Sequence, residues 1–301
     1  MAKLKTMKKF LLALPLSIFF VLSLFGQQIP HGIVLESLSM HSEIMKKDVK
    51  YSVYLPNDYF TDQRKYPVVY LLHGYTGKET DWVQFGEANR TADKMMANSE
   101  IPDMIIVMPD GANDWYMNSY DGKTNYEDFF IKELIPYIDS AYQTRPERGY
   151  RAISGLSMGG EGSTLLAIKY PNVFAACAGL SSAFRTDEEM VTLADDRYEN
   201  TFGQLYGRDL KGESRLTEAW KKNSALSLLE TLPLENIKKV RYYFDCGDDD
   251  YLYKGNSAMH VLMSDKKISH EFRMRDGAHN WTYWRTGLGD ALKFIGESFK
   301  H

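Results

Sequence analysis

The chain has 301 residues, 44% of them apolar and 13% aromatic, which is enough for a large core and unlike a disordered or low-complexity protein. Its 36 basic and 40 acidic residues leave a net charge of −4, a poor match for nucleic acid or for anionic membrane surfaces. No linker-like tract, internal repeat or long charge run divides it, so one domain is expected over residues 27–301.

The N-terminus stands apart. "MAKLKTMKKF" carries Lys3, Lys5, Lys8 and Lys9, and the uncharged stretch "FLLALPLSIFFVLSLFG" follows. A basic segment before an apolar one reads as a secretory signal peptide over residues 1–26, cut near Gly26. A membrane anchor is the alternative. The apolar run is short for a bilayer span and contains Pro15, which favours cleavage. No cysteine lies near the cut, which disfavours a lipoprotein. Losing the leader deepens the net charge to −8. The expectation is a secreted or periplasmic protein with no membrane partner after cleavage and no nucleic-acid partner.

Next in chain order, "DVKYSVYLP" (48–56) alternates apolar and polar residues, as a half-buried strand does. "YPVVYLLHG" (66–74) and "DMIIVMPDG" (103–111) are continuous apolar runs ending in turn residues, the pattern of parallel strands covered on both faces. Residues 87–100 between them are helix-like. In "NYEDFFIKELIPYIDSAY" (125–142), Phe129, Phe130, Leu134, Ile135 and Ile138 recur at helical spacing. A strand (149–155), a helix (158–171), two buried strands (173–182 and 240–247), a further strand (269–277) and a closing helix (284–299) complete the rhythm. This alternation predicts an α/β fold, a mostly parallel, doubly wound sheet with helices on both faces. Residues 183–239 far exceed the usual connection of about 2–6 residues and are expected to form a cap or side wall beside the active face. Cys177 and Cys246, the only cysteines, lie in apolar strand-like runs and are expected as buried free thiols; their spacing suits no metal.

Ligands of such sheets bind at the carboxyl ends of the strands. "RAISGLSMGGEG" (151–162) places Ser157 there between glycines, as a nucleophile elbow would. A Ser/Gly turn that merely opens a helix is the plain alternative, and the pentapeptide alone does not decide. A nucleophilic serine needs a base and an acid to orient it, following in the order Ser, Asp/Glu, His. Of the later histidines, His260 lies in a helix-like run and His270 opens a strand, both positions for packing or solvent. His279 sits in a glycine-containing loop after a strand and has the right placement. Asp245 is still within its strand. Asp248, Asp249 and Asp250 occupy the following loop, and their positions alone do not rank them; a solvated acidic loop or cation site is the competing reading. The oxyanion of an acyl-transfer intermediate needs two N–H donors, assigned to Met158 and Tyr75, with His73 holding the loop. Such chemistry needs neither cofactor nor metal. Trp82, Trp115, Tyr116, Trp281 and Trp284 lie near these loops. Core packing is the better reading for each taken singly, and Trp115 and Trp281 are the best candidates for substrate-site walls.

"YLLHGYTGKETDW", "MIIVMPDG", "YEDFFIKELIPYID", "RAISGLSMGGEGS", "DCGDDDYL" and "GAHNWTYWRTGL" together resemble the esterase D-type α/β-hydrolases. That family includes feruloyl and acetyl-xylan esterases of carbohydrate esterase family 1, tributyrin esterases, S-formylglutathione hydrolases and mycolyltransferases. The resemblance, over roughly 48–299, implies the α/β-hydrolase fold with Ser157, His279 and, among the three loop acids, Asp250 as its triad. S-formylglutathione hydrolases carry a cysteine shortly after the "HG" loop, which "HGYTGKE" lacks. The resemblance implies a serine carboxylesterase acting on acetyl or feruloyl esters of a small molecule or acylated oligosaccharide, and the leader adds the expectation that it is exported. An acyltransferase and a non-catalytic carbohydrate-binding protein are the alternatives.

Overall fold

The computed structural model describes residues 31–299, so the leader reading lies outside the described residues. Eight strands form one sheet in the order β1-β2-β4-β3-β5-β6-β7-β8. β1 (Ile33–Ser42) and β2 (Lys47–Leu55) are antiparallel to each other, and β2 is antiparallel to β4 (Ile105–Pro109). From β4 onward through β3 (Val68–Leu72), β5 (Arg151–Leu156), β6 (Ala176–Leu180), β7 (Arg241–Gly247) and β8 (His270–Arg275), every pairing is parallel.

The expected strands and helices are present with small differences at their ends. β1 was not anticipated. It is an edge strand with much of one side exposed, and a bulge between Leu35 and Leu38, with Ser37 at φ 53°, breaks the two-residue alternation that would mark it.

Continuous apolar strands require cover on both faces, and two core clusters provide it. Tyr70, Leu72, Ile153, Cys177 and Phe244 face the helices Met158–Lys169 and Tyr253–Asp265. Val69, Leu71, Ala152, Ala178 and Tyr243 face Ala88–Ala97 and Trp281–Ser298. Both cysteines are buried free thiols, and burial pushes the Cys177 thiol up to about 12. Among the described residues no helix is long and apolar enough to cross a membrane.

The segment 183–239 folds into short helices joined to the first of these clusters through Met190, Tyr198, Phe202, Leu205, Tyr206 and Trp220. Its internal staple is Arg215, 1% exposed, which donates to the carbonyls of Leu210, Met190, Val191 and Leu193 and pairs with Asp195. The segment meets the loop after β4 through Tyr120 N–H on Leu205 O at 3.0 Å and Gln204 Nε2 on Asn113 O at 3.2 Å.

Candidate active site

Ser157 occupies the step between β5 and the helix Met158–Lys169, at φ 53° and ψ −118°, a backbone conformation that costs energy for any residue with a side chain. Its N–H donates to Leu180 O at 2.9 Å and its carbonyl accepts from Ala183 N–H and Glu161 N–H, so the strained turn is held from β6 and from the helix. The flanking glycines permit the turn. A Cβ on Gly155 would lie 2.4 Å from Gly159 O, and one on Gly159 would lie 2.5 Å from Leu72 O, so no side chain fits where helix and strands meet.

His279 is carried by the loop between β8 and the helix Trp281–Ser298, which Asn280 caps by accepting from Tyr283 N–H at 3.1 Å. Asp250 lies in the loop after β7. Their hydrogen bonds form one chain: His279 Nδ1–H donates to Asp250 Oδ2 at 2.8 Å, and Ser157 Oγ–H donates to His279 Nε2 at 2.9 Å. Asp250 Oδ1 accepts Leu252 N–H at 2.9 Å. Burial would raise this carboxyl, but the hydrogen bonds from His279 and Leu252 outweigh it and hold the group below its ordinary value. Asp250 therefore stays an anion that accepts only, which fixes the proton on Nδ1 and leaves Nε2 free to take one from serine.

The neighbouring acids do other work. Asp248 Oδ1 accepts Gly277 N–H, and Asp249 N–H donates to Gly277 O, each at 3.0 Å, so this part of the acidic run ties the β7 loop to the histidine loop. The exposed carboxylates of Asp248, Asp249 and Asp276 come within 4.8 Å of one another. Asp245, fully buried, accepts two bonds from Arg275 and one each from Tyr243 and Tyr283. His260 and His270 bond each other at 2.8 Å, apart from this chain. His73 Nδ1 bonds Gly74 O and Nε2 bonds Gly111 N–H, both at 2.8 Å, so it braces the loop after β3.

That loop crosses directly beside the elbow: a Cβ on Gly74 would lie 3.5 Å from the Ser157 Cβ. Neither Tyr75 N–H nor Met158 N–H has a protein acceptor among the described residues, which leaves both free for a ligand oxygen.

Ser157 and His279 open into a cavity of about 330 Å³ lined also by Gly74, Tyr75, Thr76, Gly77, Asp81, Leu156, Tyr251, Trp281 and Trp284. Trp281 is among the lining residues. Trp115 is not. It is 3% exposed and packs on Phe202 at 4.9 Å and on Tyr75 at 6.1 Å, in a turn where Trp115 and Tyr116 both have positive φ. No residue of 183–239 is among those lining this cavity. Sequence reasoning passed over Tyr251, whose exposed ring lies 4.7 Å from the His279 ring, and set Trp284 aside as core although it meets His279 edge-on at 4.8 Å. It also passed over Glu161, buried one turn beyond Ser157 and pushed up to about 8 by burial.

Comparison with known proteins gives the same family. The family described as "Putative esterase" matches residues 42–295, and the chain belongs to it. An esterase of Mycobacterium tuberculosis is 31% identical over 251 residues, covering 76% of this chain and 52% of its own length. A protein of Xylanibacter ruminicola named endo-1,4-beta-xylanase/feruloyl esterase is 35% identical over 174 residues, covering 55% of this chain and 24% of its own. The chain thus spans about half the length of the first of these relatives and about a quarter of the second. The solved structure of a ferulic acid esterase superposes with a TM-score of 0.77 at 29% identity, covering 89% of this chain and 99% of that one.

Proposed function

We propose that this family member is an exported serine carboxylesterase that removes short acyl or hydroxycinnamoyl groups, acetyl or feruloyl, from plant-type polysaccharides such as xylan. The observation that carries the reading is the unbroken hydrogen-bond chain from Asp250 through His279 to Ser157, ending at a solvent-open aromatic cavity. In this reading His279 Nε2 takes the Ser157 proton as Oγ attacks the ester carbonyl, and Asp250 stabilises the resulting imidazolium. The oxyanion is held by Tyr75 N–H and Met158 N–H. Proton return from His279 to the leaving alcohol gives an acyl-serine, which water then cleaves by the same steps. Exposed Tyr75 and Tyr251 at the cavity leave it accessible to water, which favours hydrolysis over transfer. A protein that only bound carbohydrate would have no need of the three residues in register. The polysaccharide assignment draws on the names of the xylanase/feruloyl esterase and ferulic acid esterase relatives, and export draws on the leader.

The test is kcat/KM across p-nitrophenyl acetate, butyrate and palmitate, methyl ferulate and feruloylated xylo-oligosaccharides, with Ser157→Ala as control. Short or hydroxycinnamoyl esters are expected to lead, sugar-linked ones above free ones, with a steep loss on palmitate. Ser157→Ala should lower turnover by ~10⁴-fold or more, and a fluorophosphonate probe should label wild type at Ser157 alone. Preference for palmitate overturns the acyl assignment, and turnover surviving in Ser157→Ala overturns the nucleophile.

A further inference from the structure

We propose that Asp81 makes the cavity beside Ser157 a hydroxyl-recognising subsite, its carboxylate accepting a hydrogen bond from a hydroxyl on a ring that the cavity's aromatic side chains cover. The proposal rests on the reading of Ser157 as the nucleophile and adds what the cavity selects. Asp81 opens the short helix Asp81–Gln84 and lines the cavity beside Thr76 and Gly77, with 9% of its surface exposed. Among the described residues its side chain accepts one hydrogen bond, from Lys78 N–H at 3.3 Å, and no lysine or arginine nitrogen lies within 4.0 Å of it. The carboxylates of Asp245 and Asp250 are more deeply buried, at 0% and 1% exposed, and have charged or ring N–H partners. Burial pushes the Asp81 carboxyl above its ordinary value, as so thinly partnered an acid requires.

An ionised carboxylate only accepts, so the partner it lacks is a donor. The rest of the lining narrows the donor. Trp284, 6% exposed, lines the same cavity with its ring. In the esterase reading the ligand is an ester, and a ring hydroxyl on it supplies the donor that the Asp81 carboxylate lacks. Trp281 and Trp284, 5.3 Å apart and at 89° to each other, with Tyr251, supply apolar faces for a ring. Two ester components carry ring hydroxyls: a sugar on the alcohol side and a phenolic acid on the acyl side.

The experiment measures kcat/KM ratios in two arms. Methyl 4-hydroxycinnamate against methyl cinnamate reads the acyl side, and acetylated xylobiose against cyclohexyl acetate reads the alcohol side. Wild type is expected to favour the hydroxylated ester by about 10-fold or more in one arm, the scale of a hydrogen bond to a charged group. Asp81→Asn should bring that ratio toward 1, and Asp81→Ser should do the same. A general loss of activity cancels in the ratio, and Asp81→Ser decides the matter if Asp81→Asn does not fold. Ratios near 1 for wild type in both arms, or ratios unchanged in the variants, overturn the subsite while leaving the esterase standing. No turnover on any of the four esters overturns the esterase reading as well.

Discussion

Asp245 and Asp250 are both fully buried near the carboxyl end of β7, and their surroundings are unlike. Every hydrogen bond to Asp245 closes on structure: Arg275 from β8, Tyr243 from its own strand and Tyr283 from the last helix. Asp250 accepts one backbone N–H and one ring N–H, and the ring it holds leads to a hydroxyl at the cavity. Burial and charge are common to both. The difference is whether the network ends on a serine hydroxyl at the cavity, and in the proposed reading that separates an acid that positions a base from one that holds two strands and a helix together.

The comparison breaks most visibly at Asp250. Asp250→Asn presents an amide to His279 and favours the wrong ring tautomer, so kcat should fall by about 10⁴, the size of that effect in the serine-protease template, with thermal stability little changed. Asp248→Asn and Asp249→Asn, at exposed carboxylates, should each cost far less in the same assay. A large loss at either would move the acid to that position.

Asp245→Asn should give the opposite result. It leaves Arg275 facing a neutral partner in a largely buried pair, a loss of about 3–5 kcal/mol of stability, read by chemical denaturation. The folded fraction should keep kcat within a few-fold. A collapse of kcat at unchanged stability would show that Asp245 acts through the site after all.

These roles were only partly legible beforehand. Ser157 and His279 stand in glycine-bearing turns after apolar strands, and both signals are local. Asp250 was not separable from Asp248 and Asp249 on physical grounds, because the distinction lies in which loop carboxylate meets a ring 29 residues downstream; the family resemblance selected it. β1 escaped because its bulge interrupts the alternation on which strand recognition depends. Trp115 was misplaced because nothing in its neighbours' identities announces two consecutive left-handed residues. The charges of 183–239 read as a solvated surface, yet Arg215 is inside, consumed by carbonyls that only the folded segment brings together. Glu161 had a usable signal. It is an acid in "MGGEGSTLLAI", a helical stretch otherwise without charge, and such a helix is covered all round.

Glu161 sharpens the comparison with the smallest expected effect. It is 3% exposed, and among the described residues no basic nitrogen lies within 4.0 Å of its carboxylate; Arg185, the cation that acts on it, only partly offsets the burial that raises it to about 8. Asp250 is held below its ordinary value because donors meet its charge, and Glu161 is raised because they do not. The sign for stability follows. The folded state holds the Glu161 proton more tightly than the unfolded chain, whose ordinary value is 4.5, so this stabilisation is complete below 4.5 and is lost as pH rises toward about 8. Glu161→Gln keeps the shape and removes the titration. Thermal melts of the two proteins at matched ionic strength from pH 5 to pH 9 should show wild-type Tm falling by several degrees relative to Glu161→Gln, with the gap levelling off above about pH 8. Parallel Tm curves would mean that Glu161 is ionised in the folded state throughout, with Arg185 as a full partner, and that its burial is compensated as completely as that of Asp245.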